Sequence, residues 1–249
     1  MQVGKYNSVF QRIEKKYVLT KEQYPAFLER IAPYMTLDQY GYHAICNIYY
    51  DTEEDELIRR SMEKPRYKEK LRLRTYGVAT PDQEAFVEIK KKYEKVVYKR
   101  RVALPYKDAV RYLNHGIHPE KSSQILKEID YFMKFYHPYP KLFLAYDREA
   151  FFGNEDPDFR LTIDHNIRYR EDNLDLTAGD QGELYFENDE KILEIKVAQS
   201  FPMWLTEILA DLKIYPNSFS KYGSIFTKTH LHSENDGGEV PYRFVSGGV

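Results

Sequence analysis

The sequence predicts an α+β fold, an antiparallel β-barrel of about eight strands with flanking helices, and three observations carry that expectation. The first is the run Lys68-Glu69-Lys70-Leu71-Arg72-Leu73-Arg74-Thr75-Tyr76. As a strand it places Lys68, Lys70, Arg72 and Arg74 on one face and Leu71 and Leu73 on the other. On its own this reads as an edge strand that keeps lysines in water to discourage pairing with other chains. The second observation is repetition: at least five strand-like segments divide the same way, with apolar residues on one face and cations mixed with Glu or Asp on the other. An open sheet with one wet face also alternates, but nothing in it demands arginine on nearly every strand. A barrel whose apolar face meets covering helices, and whose charged face lines the interior, accounts for both halves of the pattern. The third is continuity, since no linker composition and no internal repeat divides the 249 residues. A single domain over 1–249 is expected, with a core over about 9–230 and a loosely held tail over 232–249.

The elements follow in order. Residues 9–19 read as a strand with Arg12, Glu14 and Lys16 on one face and Ile13 and Tyr17 on the other. Thr20 offers an N-cap to an amphipathic helix over 21–33, and 42–51 is a second, more apolar strand. Thr52-Glu53-Glu54-Asp55 resembles a cap leading into a short helix with Leu57 and Ile58. Charged strands over 66–76, 84–93 and 95–104 come next, joined by the turn chemistry of Pro81 and Asp82 and by a tight hairpin near 92–94, so an antiparallel meander is expected. Pro105 opens a helix that stops at Asn114-His115-Gly116. Ser122 or Ser123 caps another that runs to Tyr136, where Pro138 and Pro140 end it. Strands over 142–152, 159–169 and 193–197 follow, then a helix from Pro202 to Leu212 and a last short helix over 220–230.

Composition narrows the function classes. With 37 Lys+Arg against 39 Asp+Glu the net charge is only −2, so an anion site must come from local sorting of charge, and a blanket nucleic-acid binder is excluded. The single cysteine, Cys46, lies in an apolar run, which implies buried packing, no internal disulfide and a reducing compartment. No secretory leader and no apolar run near membrane-spanning length is present, so a cytoplasmic protein without direct membrane insertion is expected. The seven histidines, His43, His165 and His230 among them, are not at metal-ligand spacing. No Ser-His-Asp or Cys-His set stands out.

A lumen lined by Arg12, Lys16, Arg72, Arg74, Lys90, Lys99, Arg101, Arg148 and Arg160 would repel itself, by about 4 kcal/mol per adjacent pair at 4 Å and an effective dielectric of 20. A multiply charged anion relieves this, and phosphate chains suit arginine forks best. Glu14, Glu88, Asp164 and Glu194 share those faces. They are either internal partners of the cations or holders of a hard metal ion that arrives with phosphates. Glu194, beside Lys196 on an otherwise apolar strand, is the first candidate ligand.

These residues resemble the triphosphate tunnel family, within the CYTH-like superfamily, and most closely the catalytic domain of VTC-type polyphosphate polymerases. The resemblance rests on Arg12-Ile13-Glu14-Lys15-Lys16-Tyr17, Leu71-Arg72-Leu73-Arg74-Thr75-Tyr76 and Val87-Glu88-Ile89-Lys90. It continues through Lys99 and Arg101, Tyr146-Asp147-Arg148-Glu149-Ala150-Phe151 and Phe159-Arg160-Leu161-Thr162-Ile163-Asp164. Leu193-Glu194-Ile195-Lys196 and Ser218-Phe219-Ser220-Lys221-Tyr222 complete it, so that it spans about residues 9–230 in order. It implies a tunnel that binds ATP at its mouth and extends inorganic polyphosphate by one unit per γ-phosphate transferred. Lys16, Arg72, Arg74, Lys90, Arg148 and Arg160 would act on the reacting phosphates, and Arg12, Lys99, Arg101, Lys196 and Lys221 would bind phosphate or ATP. Glu194 and Glu14 would hold Mn²⁺ or Mg²⁺. Lys68 and Lys70 are expected nearer the rim, where they would steer ATP inward. Two departures stand out. The chain has no room for the sensing domain and membrane helices of eukaryotic relatives, which leaves regulation and export to a separate membrane partner or leaves them absent. Ser218 stands where some relatives place a further lysine. A hydrolase of the same architecture is the alternative. It would be expected to begin with a fuller Glu-x-Glu-x-Lys strand, whereas Arg12 here replaces the first carboxylate by a cation. The other alternative is a non-catalytic polyphosphate-binding module.

Overall fold

The structure is a computed structural model that describes residues 13–94, 96–120, 122–198 and 200–231. Ten strands make one antiparallel sheet: β1 (Ile13–Leu19), β2 (Met35–Leu37), β3 (His43–Asp51), β4 (Tyr67–Tyr76), β5 (Glu84–Tyr93), β6 (Val96–Pro105), β7 (Tyr139–Gly153), β8 (Arg160–Arg170), β9 (Glu183–Leu184) and β10 (Lys191–Val197). Eight of them run in the order β1-β10-β8-β7-β3-β4-β5-β6, while β2 adds to β7 and β9 to β8. The fold class matches the expectation from sequence, an antiparallel α+β architecture with flanking helices. Among the described residues β1 and β6 do not hydrogen-bond to each other, so the ladder is open there.

The two faces of the sheet are sorted by the alternation already visible in the sequence. Leu71, Leu73, Val87 and Ile89 point outward under α3 (Tyr106–His115) and α4 (Gln124–Tyr136), against Ala109, Leu113, Leu126, Ile129 and Phe132. Tyr17, Leu19, Leu161, Ile163, Leu193 and Ile195 point outward under α1 (Gln23–Ile31) and α5 (Met203–Asp211), against Phe27, Ile31, Leu205 and Ile208. The opposite face is the charged one. Cross-strand register brings Arg72 opposite both Tyr49 and Glu88, Arg148 opposite Asp164, and Glu194 opposite both Lys16 and Thr162.

One end of that inner face is apolar instead. Ile45, Tyr49, Leu142, Leu144, Ile167 and Tyr169 pack there against Tyr222, Ile225 and Phe226 of α6 (Lys221–Phe226), with Ile58 of α2 (Glu56–Met62). The helix is held by polar anchors as well as by burial. Lys16 Nζ donates to the Phe219 carbonyl at 3.2 Å, Lys70 Nζ to Ser220 Oγ at 3.3 Å, and Tyr222 Oη to Asp51 Oδ2 at 3.1 Å. The segment before α6 therefore bridges from β1 to β4 across the open side of the sheet.

Several local features differ from the sequence reading. The helix expected over 220–230 is α6 followed by a π-helical turn over Thr227–Leu231. Pro140 does not end α4 but lies inside β7, paired with Tyr50 where the β3–β7 register shifts, a place where a missing N–H is tolerated. His137, with φ 48°, ends α4. The cap of α2 comes mainly from Asp51, whose carboxylate accepts from Leu57 N at 2.8 Å and Ile58 N at 2.9 Å, while Thr52 Oγ1 accepts from Glu56 N at 2.9 Å. β2 and β9 are too short to leave a period in the sequence. No helix of the described residues is long and apolar enough to cross a membrane.

Candidate functional site

The inner face gathers nearly all the cations singled out in the sequence, and buried carboxylates fix many of them in place. Glu88, 2% exposed, sits beneath three cations: Arg72 Nε at 2.6 Å, Lys99 Nζ at 2.7 Å and Arg74 Nε at 3.8 Å. Asp164, fully buried, takes the Arg148 guanidinium through two bonds of 2.6 and 2.8 Å and Lys221 Nζ at 2.5 Å. Arg74 completes its fork with Asn47 Oδ1 at 2.9 Å and Tyr146 Oη at 3.1 Å, and Arg72 with Tyr49 Oη at 3.1 Å. Such clamped forks present their remaining N–H groups with little rotamer freedom left to lose.

The third group lies on β1, β10 and β8. Glu194 pairs with Lys196 and stands 3.8 Å from Lys16 Nζ, which is 4.0 Å from Glu14. On the other side of Glu194, Thr162 Oγ1 is shielded from solvent and has no hydrogen-bond partner among the described residues. A buried hydroxyl without a partner carries an uncompensated desolvation cost.

Proton affinities follow the same arrangement. Burial alone would raise the Glu88 carboxyl, but Arg72, Arg74 and Lys99 outweigh it and hold it down at about 2. Glu194 is likewise held down to about 2, since Lys196 and Lys16 overcome its burial. Asp164 lies further below the usual range: Arg148 and Lys221 overcome full burial. Lys70 is depressed to about 8, first by burial and then by Lys68, Lys90 and Lys16. Lys99 is also depressed to about 8, by burial first and then by Arg72, although Glu88 opposes the shift. These are the signs of a surface with more positive than negative charge.

Lys16, Arg72, Arg74, Lys90, Lys99, Arg101, Arg148, Arg160, Lys196 and Lys221 share this face, with Lys90, Lys99, Arg101 and Arg160 open to solvent. Arg12 lies outside the described residues. Lys70 lies beside the start of α6, with its ammonium over the Tyr222 ring at 5.8 Å and 3.3 Å from Ser220 Oγ. Sequence reasoning gave no role to Tyr49, Tyr146, Asn47 or Thr162. Tyr146 stood within a motif, but nothing in the chain shows that it meets Arg74, 72 residues away.

A divalent metal ion is implied by the resemblance, and the donor set can be tested against it. Among the described residues no group of three or more His, Cys, Asp or Glu side chains gathers to hold one. Glu14 and Glu194 do come together around Lys16, with the unpartnered Thr162 hydroxyl beside Glu194. Both carboxylates are already paired with lysines, Glu14 and Glu194 with Lys16 and Glu194 also with Lys196, so they offer oxygen ligands to a hard ion only in exchange for those pairs, and it would take its remaining oxygens from water and from substrate phosphates.

Comparison with known proteins agrees with this fold. The fold is similar to that of a protein from Hippeastrum named as a candidate adenylyl cyclase and described as having a dominant triphosphatase activity, with a TM-score of 0.58 at 15% identity, covering 88% of this chain and 96% of that one. It is also similar to a candidate adenylate cyclase from Bacillus halodurans, with a TM-score of 0.54 at 15% identity, covering 84% of this chain and 93% of that one. No curated protein matches the chain. The VTC domain model matches residues 11–230, nearly all of the described chain and every part of the charged inner face that it resolves, and the chain belongs to the VTC domain family.

Proposed function

We propose that the cationic lumen transfers the γ-phosphate of ATP to the end of an inorganic polyphosphate chain. The observation that carries this reading is the pair of buried carboxylates, Glu88 and Asp164, each clamping several cations whose other donors face one continuous inner surface. Phosphoryl transfer asks little covalent chemistry of a protein, and fixed positive charge around the reacting phosphorus is most of what it needs. A terminal oxygen of the acceptor chain forms the new P–O bond, the bond from the γ-phosphorus to the bridging oxygen breaks, and ADP leaves with that electron pair. The acceptor phosphate is already anionic near neutral pH, so no general base is required. Arg148 and Lys221, set by Asp164, and Arg72 and Arg74, set by Glu88, would bear on the developing charge. Lys16, Lys90 and Arg160 would act with them, and Lys99, Arg101 and Lys196 would hold the remainder of the polyanion. Mn²⁺ or Mg²⁺ at Glu14 and Glu194, when bound, would neutralise phosphate oxygens.

One observation favours a second reading, hydrolysis of inorganic or nucleoside triphosphate. Tyr222, Ile225 and Phe226 fill the inner face at one end, which restricts the path along which a long acceptor could thread. A triphosphatase needs only a short polyanion and a water.

Purified protein with ATP and Mn²⁺, analysed by gel for phosphate chains and by colorimetry for free phosphate, separates the two. Long chains are the expected product; free phosphate without chains would replace this reading with the second, and neither product would leave a binding module. Glu194→Gln should abolish metal-dependent turnover while the melting temperature holds. A variant that melts early yet keeps its metal response would make Glu194 a structural partner of Lys16 and Lys196.

A further inference from the structure

The centre of the inner face holds more positive charge than its carboxylates balance. Arg72, Arg74 and Lys99 share Glu88, and Arg148 and Lys221 share Asp164, so five cations meet two carboxylates and three charges are left over. Both carboxylates are buried and Arg74 is only 6% exposed, which keeps water from screening the excess. A neighbouring group able to give up a proton would relieve it.

Two buried phenols stand at that point. Tyr49 Oη accepts from Arg72 Nη1 at 3.1 Å, and Tyr146 Oη accepts from Arg74 Nη2 at 3.1 Å. Arg72 also lies over the Tyr49 ring at 5.9 Å, and Arg148 and Lys221 lie over the Tyr146 ring at 5.1 and 4.6 Å. From α6, Tyr49 meets the Tyr222 ring at 5.0 Å, whose own hydroxyl is engaged with Asp51. Other buried tyrosines have the opposite arrangement. Tyr106 donates to Asp175, Tyr112 to Asp130, Tyr169 to Glu183 and Tyr222 to Asp51. A carboxylate acceptor holds the phenol proton in place, whereas a guanidinium donor favours its loss.

Proton affinities divide along the same line. The four that donate to carboxylates are raised, by burial first and then by those carboxylates. Burial works upward at Tyr49 and Tyr146 too, but Arg72, Arg74 and Lys70 outweigh it at the first, and Arg74, Arg148 and Lys221 at the second. Both phenols lie below their ordinary value. Asp164 opposes the change at Tyr146, and Tyr146 opposes it at Tyr49, which favours one negative charge on the pair over two.

We propose that Tyr49 and Tyr146 are positioning residues that hold the arginine forks through a tyrosinate. In the ligand-free lumen a single phenolate charge, borne first by Tyr49, stands in for the polyanion. When phosphate oxygens arrive, the phenolate takes up a proton from solvent and the guanidinium charge passes to the phosphates. This exchange rests on the phosphate-binding reading of the lumen; the tyrosinate itself does not.

The tyrosinate absorbance band gives a direct readout. Wild type titrated with alkali in the absence of ligand is expected to show a first step equal to one of its 23 tyrosines, ahead of the others. Saturating tripolyphosphate, with binding followed separately by calorimetry, should erase that step. Tyr49→Phe, which keeps the ring, should move the step to higher pH, and the double variant with Tyr146→Phe should lose it. The wild-type curves decide the matter even if a variant fails to fold. Absence of an early step, its survival in the double variant, or its persistence with tripolyphosphate bound overturns the proposal and leaves the lumen reading standing. An early step in a protein that binds no tripolyphosphate overturns the exchange and the lumen reading together.

Discussion

At the scale of single residues, the carboxylates decide how the cations behave. Asp164 has no contact with solvent, and its two oxygens hold Arg148 and Lys221 together. Removing one member of such a buried cluster leaves uncompensated charge, which typically costs about 3–5 kcal/mol. Asp164→Asn is expected to lose stability on that scale, read as a fall in melting temperature. Because a bound polyanion supplies the missing negative charge, tripolyphosphate should raise the variant's melting temperature by more than it raises the wild type's. An equal shift in both would mean that Arg148 and Lys221 do not meet the ligand. The sequence placed Asp164 and Glu88 on the charged face but left open whether they pair with cations or hold metal; partners 16 residues away on neighbouring strands settle that they pair. Tyr146 and Asn47, which hold Arg74, were not legible, because a hydrogen bond between strands so far apart leaves no local signal.

At the scale of elements, α6 has the largest influence on the lumen. It is a six-residue helix held by Tyr222, Ile225 and Phe226 against the inner ends of β3, β7 and β8. Phe226 is 2% exposed, and truncation of a buried phenylalanine costs about 3–5 kcal/mol. In Phe226→Ala the amides of α6 should exchange with deuterium faster than those of β4 and β5, provided that the helix opens as a unit. Uniform acceleration would instead mean that α6 opens only with the whole fold. The strands were easy to read because charged and apolar residues alternate from Lys70 to Arg74 in β4 and from Val87 to Lys90 in β5. The position of α6 was not readable, since its apolar residues are compatible with either face of the sheet.

At the scale of the whole molecule, a nearly neutral chain has sorted its charges so that one face carries an excess of cations. Burial first, and neighbouring cations after it, bring Lys70 and Lys99 down to about 8. The ordinary lysine value is 10.5, so between about pH 8 and 10.5 the unfolded chain binds more protons than the folded one, and these two groups make the ligand-free protein more stable as pH rises through that window. Affinity for polyanions moves the other way. A bound phosphate chain favours the charged ammonium, so binding takes up protons near pH 8 and should weaken as pH rises from 7 to 9. Calorimetry of tripolyphosphate in buffers of different ionisation enthalpy measures that uptake directly. A pH-independent dissociation constant across this range would show that neither lysine meets the ligand.

The free edge of β6 has a consequence of another kind. Among the described residues β6 pairs only with β5, and Val96, Val97 and Tyr98 stand about half exposed along it, at 48%, 47% and 53%. An unpaired strand with exposed apolar residues is a template for stacking of one molecule on another. The next three positions are Lys99, Arg100 and Arg101. Two such edges approaching each other would bring like charges together, so the basic residues that serve the lumen also keep the protein from assembling edge to edge. The guarded strand is β6, at the end of the sheet, while the lysine-rich β4 lies between two neighbours and has no edge to protect. Of the three, Lys99 and Arg101 belong to the inner face while Arg100, opposite Ile89 and paired with Glu128 at 2.8 Å, faces outward, so a polyanion that neutralises the inner pair would remove part of the guard.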